Sequence, residues 1–208
     1  MGQTLHDSPF CWYNIRMNGP TTQIALLWQA VDLAGYDHCH VRGTPSGWSL
    51  EGVILAAQQG WPLKVTYRVS CDRFWRIGMV IVTRWRGIDQ RGLHIGLTPH
   101  GAWLDYAHGG SLPHLEGCTD LDLGFTPATH TIALRRLGLE VGHSREVRAA
   151  GVRGDDLSVE PVVQQYTRLD ERHYRYQSGD FAAVMAVDDF GLVVDCPGLW
   201  KRVGAVKG

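Results

Sequence analysis

The sequence predicts a single, mainly β domain built from many short antiparallel strands. Three observations predict it: apolar and polar residues alternate repeatedly, the 25 glycines fall mostly between the alternating runs, and helical spacing is rare. A many-stranded sheet must curl, split or close as it grows. Barrel, roll and sandwich architectures are therefore the candidates.

The strands are expected in the following order. Residues 21–35 fit either a helix or a strand, because their apolar residues suit both periods. The clearest strand is 62–72, where Val65, Tyr67, Val69 and Cys71 share one face. In 75–85, apolar residues on both faces predict a central strand that is covered on both sides. Further strands are expected at 47–58, 92–98, 102–107, 162–170, 172–177, 181–189 and 192–196.

Length and composition fit one domain over residues 1–208, with a loosely ordered extension at 1–24 and a flexible end at 204–208. The chain has 20 basic and 21 acidic residues, so no global field attracts nucleic acid. No apolar run approaches the roughly 20 residues that span a bilayer, so we predict no stable membrane insertion. No secretory signal is visible, and the five scattered cysteines suit a reducing compartment, so we predict a cytoplasmic protein.

The motifs of several enzyme classes are absent from the sequence, including the nucleophile elbow, the phosphate-binding loop and the zinc-protease helix. We therefore predict no cofactor. The best local metal candidate is 37–40, where His38 and His40 would share one strand face. Two ligands fall short of the three or four that zinc needs, so we predict no metal site.

The densest polar cluster lies in 117–137. Asp120 and Asp122 alternate with leucines and should emerge on one side of a strand. They could perform acid/base chemistry, or they could form an ionic clasp with Arg135 and Arg136 on a neighbouring strand, which we favour. Between these pairs, Thr126 and Thr129 suggest a hydroxyl-rich connection, and His130 suggests a hydrogen-bonded structural histidine.

Aromatic residues are the other candidates for function. The eight tryptophans, including Trp75, suit core packing or the wall of a ligand cavity. Tyr166, Tyr174 and Tyr176 combine an apolar ring with a polar tip, so they are expected to be partly core and partly wall.

Three segments together resemble the bacterial putative glycolipid-binding family: GCTDLDLGFTPATHTIALRRLGLEVGHSREV, VVQQYTRLDERHYRY and FAAVMAVDDFGLVVDCPGLWKRV. The similarity extends more loosely upstream to Trp28. It implies a spiral β-roll, an open half-barrel with few short helices that encloses an apolar cavity, as in lipid carriers. The chain departs from the family pattern at His130, where Asn is usual, and at 132–133, where Ile-Ala replaces Leu-Pro.

The leading hypothesis is a non-enzymatic carrier or sensor that holds a lipid-like or glycolipid-like molecule in the roll. The alternatives are a hydrolase or lyase that uses Asp120, Asp122 and His130, and a protein-interaction module without a small ligand. The oligomeric state stays open. The candidate ligand-binding residues are Trp75, Asp120, Asp122, Thr126, Thr129, His130, Arg135, Arg136, Tyr166, Tyr174 and Tyr176.

Overall fold

The computed structural model describes residues 22–208, which form fourteen strands, one α-helix and one 3-10 turn at Pro113–Leu115. The strands are β1 (Thr22–Ala30), β2 (Ala34–Thr44), β3 (Gly47–Gln58), β4 (Trp61–Asp72), β5 (Ile77–Arg86), β6 (Asp89–Leu97), β7 (Trp103–Asp105), β8 (Asp120–Leu123), β9 (Ser144–Val152), β10 (Val159–Arg168), β11 (His173–Ser178), β12 (Phe181–Val187), β13 (Val193–Cys196) and β14 (Trp200–Lys207). The helix α1 is Ala128–Leu137. Of the predicted extension at 1–24, residues 1–21 lie outside the described residues and the last three begin β1.

All fourteen strands belong to one sheet, in the order β7-β6-β5-β4-β3-β2-β1-β14-β13-β12-β11-β10-β9-β8. Neighbours pair antiparallel, except that β8 runs parallel to β9. The first and last strands join the two halves of the sheet, because β1 pairs with β14. Strands β7 and β8 occupy the two free edges, so the sheet is an open roll rather than a closed barrel. The predicted mainly β, open half-barrel roll is confirmed.

Alternation places one face of each strand in the core. In β4, Val65, Tyr67, Val69 and Cys71 are all buried, as predicted. They face the same side as Leu50, Gly52 and Ile54 of the paired strand β3. The hairpin between these strands turns on Gln59 and Gly60, both at positive φ (53° and 80°), the conformation that two-residue hairpin loops require.

Helix α1 packs against the concave face of the roll. It begins after Pro127 and ends at Gly138, whose φ of 54° closes the helix in the left-handed region. Residues 128–134 are all buried. Ile132 packs in the larger core, which is formed by β1–β9, whereas Ala133 and Leu134 pack in the smaller core, which is formed by β9–β13. The helix therefore fills much of the concave side, and open space lies towards the strand ends.

One choice left open by the sequence is settled, and three local expectations were wrong. Residues 22–30 are a strand, which removes the helical alternative. The predicted strand 75–85 begins at Ile77. A bulge between the pairs Val69–Val80 and Cys71–Ile77 turns Met79 outward, where it is 42% exposed, so this strand is covered on one side. The predicted flexible end extends β14 to Lys207. The arginine pair at 135–136 lies on α1 rather than on a neighbouring strand.

Candidate functional site

A buried carboxylate ties two strands to the start of α1. The Tyr67 hydroxyl donates to Asp37 Oδ2 at 2.9 Å, and the Thr126 hydroxyl donates to the same oxygen. Thr126 Oγ1 also accepts the Ala128 backbone N–H at 3.1 Å. Burial raises the pKa of Asp37 to about 7, although both hydroxyl donors oppose the rise. This network fixes the point at which the chain enters the helix.

A second network crosses the other half of the roll. The Tyr166 hydroxyl donates to Gln164 Oε1 at 3.2 Å and lies 2.9 Å from His130 Nδ1. The Gln164 amide donates to Asp122 Oδ2 and to the Tyr176 hydroxyl, each at 2.8 Å. Burial lowers the pKa of His130 to about 4, and it raises the pKa of Asp122 to about 6 against the hydrogen bond from Gln164. His130 is therefore a neutral, hydrogen-bonded side chain at physiological pH.

The predicted ionic clasp forms for one of the two expected pairs. Arg136 Nε donates to Asp120 Oδ1 at 2.9 Å, its Nη2 donates to Oδ2, and Thr119 donates to Oδ2 at 2.9 Å. The partners are right, but the clasp joins strand β8 to helix α1 rather than two strands. Arg135 instead lies over the rings of Phe190 and Trp75, at 4.9 and 5.9 Å from the ring centroids.

The remaining candidates lie mostly in the core. Trp75 is 4% exposed and stacks on Trp48, with 4.5 Å between ring centroids. Thr129 Oγ1 accepts the Leu123 backbone N–H at 3.3 Å. Tyr166, Tyr174 and Tyr176 are all buried, and Tyr174 also borders a cavity of 150 Å³.

We call one cleft the acidic groove; it lies where β3 ends and β4 begins, and its volume is 700 Å³. Its apolar side chains are those of Leu33, Ile54, Ala56, Leu63, Val65, Phe125, Val152, Val162, Leu199 and Trp200. Its carboxylates are Asp32, Asp122, Asp155 and Glu160. The only cationic side chain that lines it within the described residues is Arg153, which pairs with Asp155 at 2.9 Å.

We call a second cleft the arginine cleft; it lies at the other end of β4, where that strand leads into β5, and its volume is 1040 Å³. Arg73, Arg76, Arg135 and Arg136 line it, together with the rings of Phe74 and Trp75. The two clefts share no lining residue. The predicted candidates are thus divided between them: Asp122 reaches the acidic groove, whereas Trp75, Arg135 and Arg136 reach the arginine cleft.

Sequence reasoning missed several residues that build these sites. Asp37 and Tyr67 lie on inward-facing positions of β2 and β4, so their alternation with buried neighbours was a usable signal. Gln164 lies on the inward face of β10 in the same way. Trp200 and Glu160 of the acidic groove come from strands far apart in sequence, so no local pattern indicates that they meet.

Residues 22–208 contain neither a candidate metal site nor a helix that could cross a membrane. No group of three or more His, Cys, Asp or Glu side chains there could hold a metal ion. In the 37–40 segment, Asp37 and Cys39 face the core, while His38 and His40 lie on the outer face. Over the same residues, no helix combines the length and the apolar character needed to cross a membrane.

The fold and the clefts define an open β-roll that is packed around one helix and has clefts at both ends of its strands. Residues 25–202 match the family described as "Putative glycolipid-binding", and the chain belongs to that family. A crystal structure of a DUF1089 family protein from Pseudomonas aeruginosa is 30% identical in sequence, with a TM-score of 0.72 over 95% of this chain and 100% of that chain. The family membership predicted from sequence motifs is confirmed. No curated protein matches the chain.

Proposed function

We propose that the protein is a non-catalytic binding protein that holds a lipid-like or glycolipid-like molecule in the acidic groove. The observation that carries this proposal is the combination, in one groove of 700 Å³, of an apolar floor, two half-buried aromatic rings and several carboxylates. Small-ligand sites have volumes of about 300–1000 Å³ and combine a mostly apolar lining with a few polar groups. The description of the family supports a binding role in general.

The chemistry of the lining favours an uncharged sugar head over an anionic one. Carboxylate oxygens accept hydrogen bonds from hydroxyl groups, and Asp32 and Glu160 supply such oxygens. The rings of Phe125 and Trp200 offer apolar faces to the C–H side of a sugar. Because Arg153 is already paired with Asp155, an anionic head would meet uncompensated negative charge. The floor around Val65 then suits an alkyl chain.

The burial and the hydrogen bonds of Asp120, Asp122 and His130, the residues of the hydrolase hypothesis, support binding over catalysis. Asp120 is held by Arg136 and Thr119, and it is 1% exposed. His130 is buried among tyrosines, and its lowered pKa makes it a weak base. Asp122 alone reaches the groove. The three residues of the hydrolase hypothesis therefore do not converge on one site, as a hydrolytic pair or triad would.

A matched pair of variants tests the groove. Leu63 lines it, whereas Leu55, on the adjacent strand β3, points to the outer face and is 59% exposed. Leu63→Trp should fill the groove, and Leu55→Trp makes the same change outside it. The probe is dodecyl maltoside, a neutral sugar amphiphile, below its micelle concentration, and the readout is the melting temperature.

The wild-type protein and Leu55→Trp should be stabilised by dodecyl maltoside, by about 1.4 kcal/mol at a ligand concentration ten times the dissociation constant. Leu63→Trp should fold but show no such shift. Equal shifts in both variants, or none in the wild type, would mean that the groove does not bind this class of ligand.

A further inference from the structure

One wall of the arginine cleft is the loop between β4 and β5. Asp72 Oδ1 accepts the backbone N–H groups of Phe74 and Arg76, at 2.8 and 2.9 Å. Trp75 lies between them at φ 64°, a conformation that favours glycine. Its ring nevertheless stacks on Trp48 and meets the edge of Phe190. The loop is thus fixed by its own hydrogen bonds and by a buried ring, and a strained backbone of this kind concentrates at functional positions.

Among the residues that the structure describes, the arginines of this cleft outnumber its carboxylates, since four arginines line it against Asp72 alone. Arg73 and Arg76 lie over the Phe74 ring at 4.6 and 5.5 Å, and Arg135 lies over Phe190. Within residues 22–208, none of these three forms a salt bridge, whereas Arg136 is paired with Asp120. Ring stacking leaves the N–H edges of a guanidinium free to donate. Asp72 also lines the cleft, but one of its oxygens already accepts two N–H groups of the loop.

An apolar cleft of 550 Å³ adjoins the arginine cleft and shares Leu97, Gly101 and Thr119 with it. Its lining includes Ala102, Leu112 and Pro113. At the border, Thr98 Oγ1 accepts the Ala102 N–H at 3.1 Å, so the hydroxyl proton can be donated to a ligand. The cationic hydrogen-bond donors of the arginine cleft therefore lie next to a mostly apolar cleft.

We infer that the arginine cleft is a second binding site, which takes an oxyanion of the phosphate type attached to an apolar group. The oxyanion accepts hydrogen bonds from the guanidinium groups of Arg73, Arg76 and Arg135, and the apolar part lies in the adjoining cleft. The inference goes beyond the proposed function, because this cleft and the acidic groove share no residue and have opposite charge.

Matched pairs of arginine variants separate ligand binding from the packing of the guanidinium groups on the aromatic rings. The full chain is titrated with dodecyl phosphate by calorimetry, as the wild type and as two double variants. R73Q/R76Q removes two charges from the cleft, and R145Q/R175Q removes two charges from exposed arginines on β9 and β11. Arg135→Gln, an exposed position on α1, is the second cleft variant should the first fail to fold.

We expect R73Q/R76Q to weaken the binding of dodecyl phosphate by about tenfold or more, since charge-assisted hydrogen bonds are lost, and R145Q/R175Q to change it by less than about twofold. The inference would be overturned if the wild type did not bind dodecyl phosphate, or if both double variants bound it equally weakly. Loss of dodecyl phosphate binding in Leu63→Trp would also overturn it, because the ligand would then occupy the acidic groove.

Two further binding measurements, with inorganic phosphate and with phosphatidic acid vesicles, identify the source of the oxyanion. Inorganic phosphate that binds as tightly as dodecyl phosphate would contradict the assigned apolar part. Phosphatidic acid vesicles that bind the wild type and R145Q/R175Q, but not R73Q/R76Q, would assign the site to a lipid headgroup in a membrane. Binding of dodecyl phosphate but not of vesicles would assign it to a free phosphorylated amphiphile.

Discussion

The protonation of Asp37 should control the stability of the fold across neutral pH. Its carboxyl group is fully buried, and burial raises its pKa from 3.8 to about 7. An acid whose pKa is higher in the folded state holds its proton more tightly there, so the free energy of unfolding falls as pH rises from about 4 to about 7. The difference in pKa corresponds to about 4 kcal/mol.

Asp37→Asn isolates this effect, because an amide keeps the shape of the group and cannot ionise. It can still accept a hydrogen bond from the Thr126 or Tyr67 hydroxyl through its oxygen. We expect the two proteins to be about equally stable at pH 4 and the variant to be more stable by several kcal/mol at pH 8. Asp122 and His130 also titrate in this range, and their effects on the free energy of unfolding have opposite signs as pH rises. Both effects are present in the wild type and in the variant, so they cancel in the comparison.

Urea unfolding followed by tryptophan fluorescence, at intervals from pH 4 to pH 8, measures the difference. Asp155→Asn is the sign control: its exposed carboxylate pairs with Arg153, and its pKa is lowered to about 2, so the wild type should be the more stable protein above pH 4. A stability difference for Asp37→Asn that is constant with pH, or that favours the wild type as pH rises, would refute the assignment.

Two further comparisons use neighbouring or equivalent positions. Arg136→Gln should destabilise the protein by about 3 kcal/mol, because it leaves the buried Asp120 carboxylate without its cation. Arg135→Gln should cost less than about 0.5 kcal/mol. Similar urea midpoints for the two variants would contradict the clasp. Gly52→Ala places a Cβ 2.2 Å from the Tyr67 ring and should cost about 1–3 kcal/mol, while Gly92→Ala meets only a carbonyl oxygen at 4.0 Å and should be tolerated. Equal melting temperatures for the two alanine variants would show that the core accommodates the extra methyl group.

The sequence predicts the sheet well because strand alternation is a local signal. Val65, Tyr67, Val69 and Cys71 face the core as the pattern indicates, and the meander follows from short, glycine-bounded runs. Helix α1 escaped prediction because threonine and histidine are weak helix formers, although Pro127 before it and Gly138 after it mark both ends. The bulge in β5 shifts the burial phase, which simple alternation cannot anticipate.

The candidate sites were harder to predict than the fold. The pairing of Asp120 with an arginine was foreseen from charge complementarity within one segment. The contact between Asp37 and Thr126 joins residues 89 positions apart, and it depends on how the roll curls around the helix. The two clefts likewise draw their walls from strands that are distant in sequence, so their opposite charges emerge only in the folded chain.

The central claim, a glycolipid-like ligand in the acidic groove, is tested most directly by native mass spectrometry of the full chain purified gently from a native lysate, followed by analysis of the released small molecules. The wild type and Leu55→Trp should carry the same sugar-bearing amphiphile, and Leu63→Trp should be free of it. A wild-type protein that is empty in repeated preparations, or a Leu63→Trp variant that carries the same ligand, would contradict the claim.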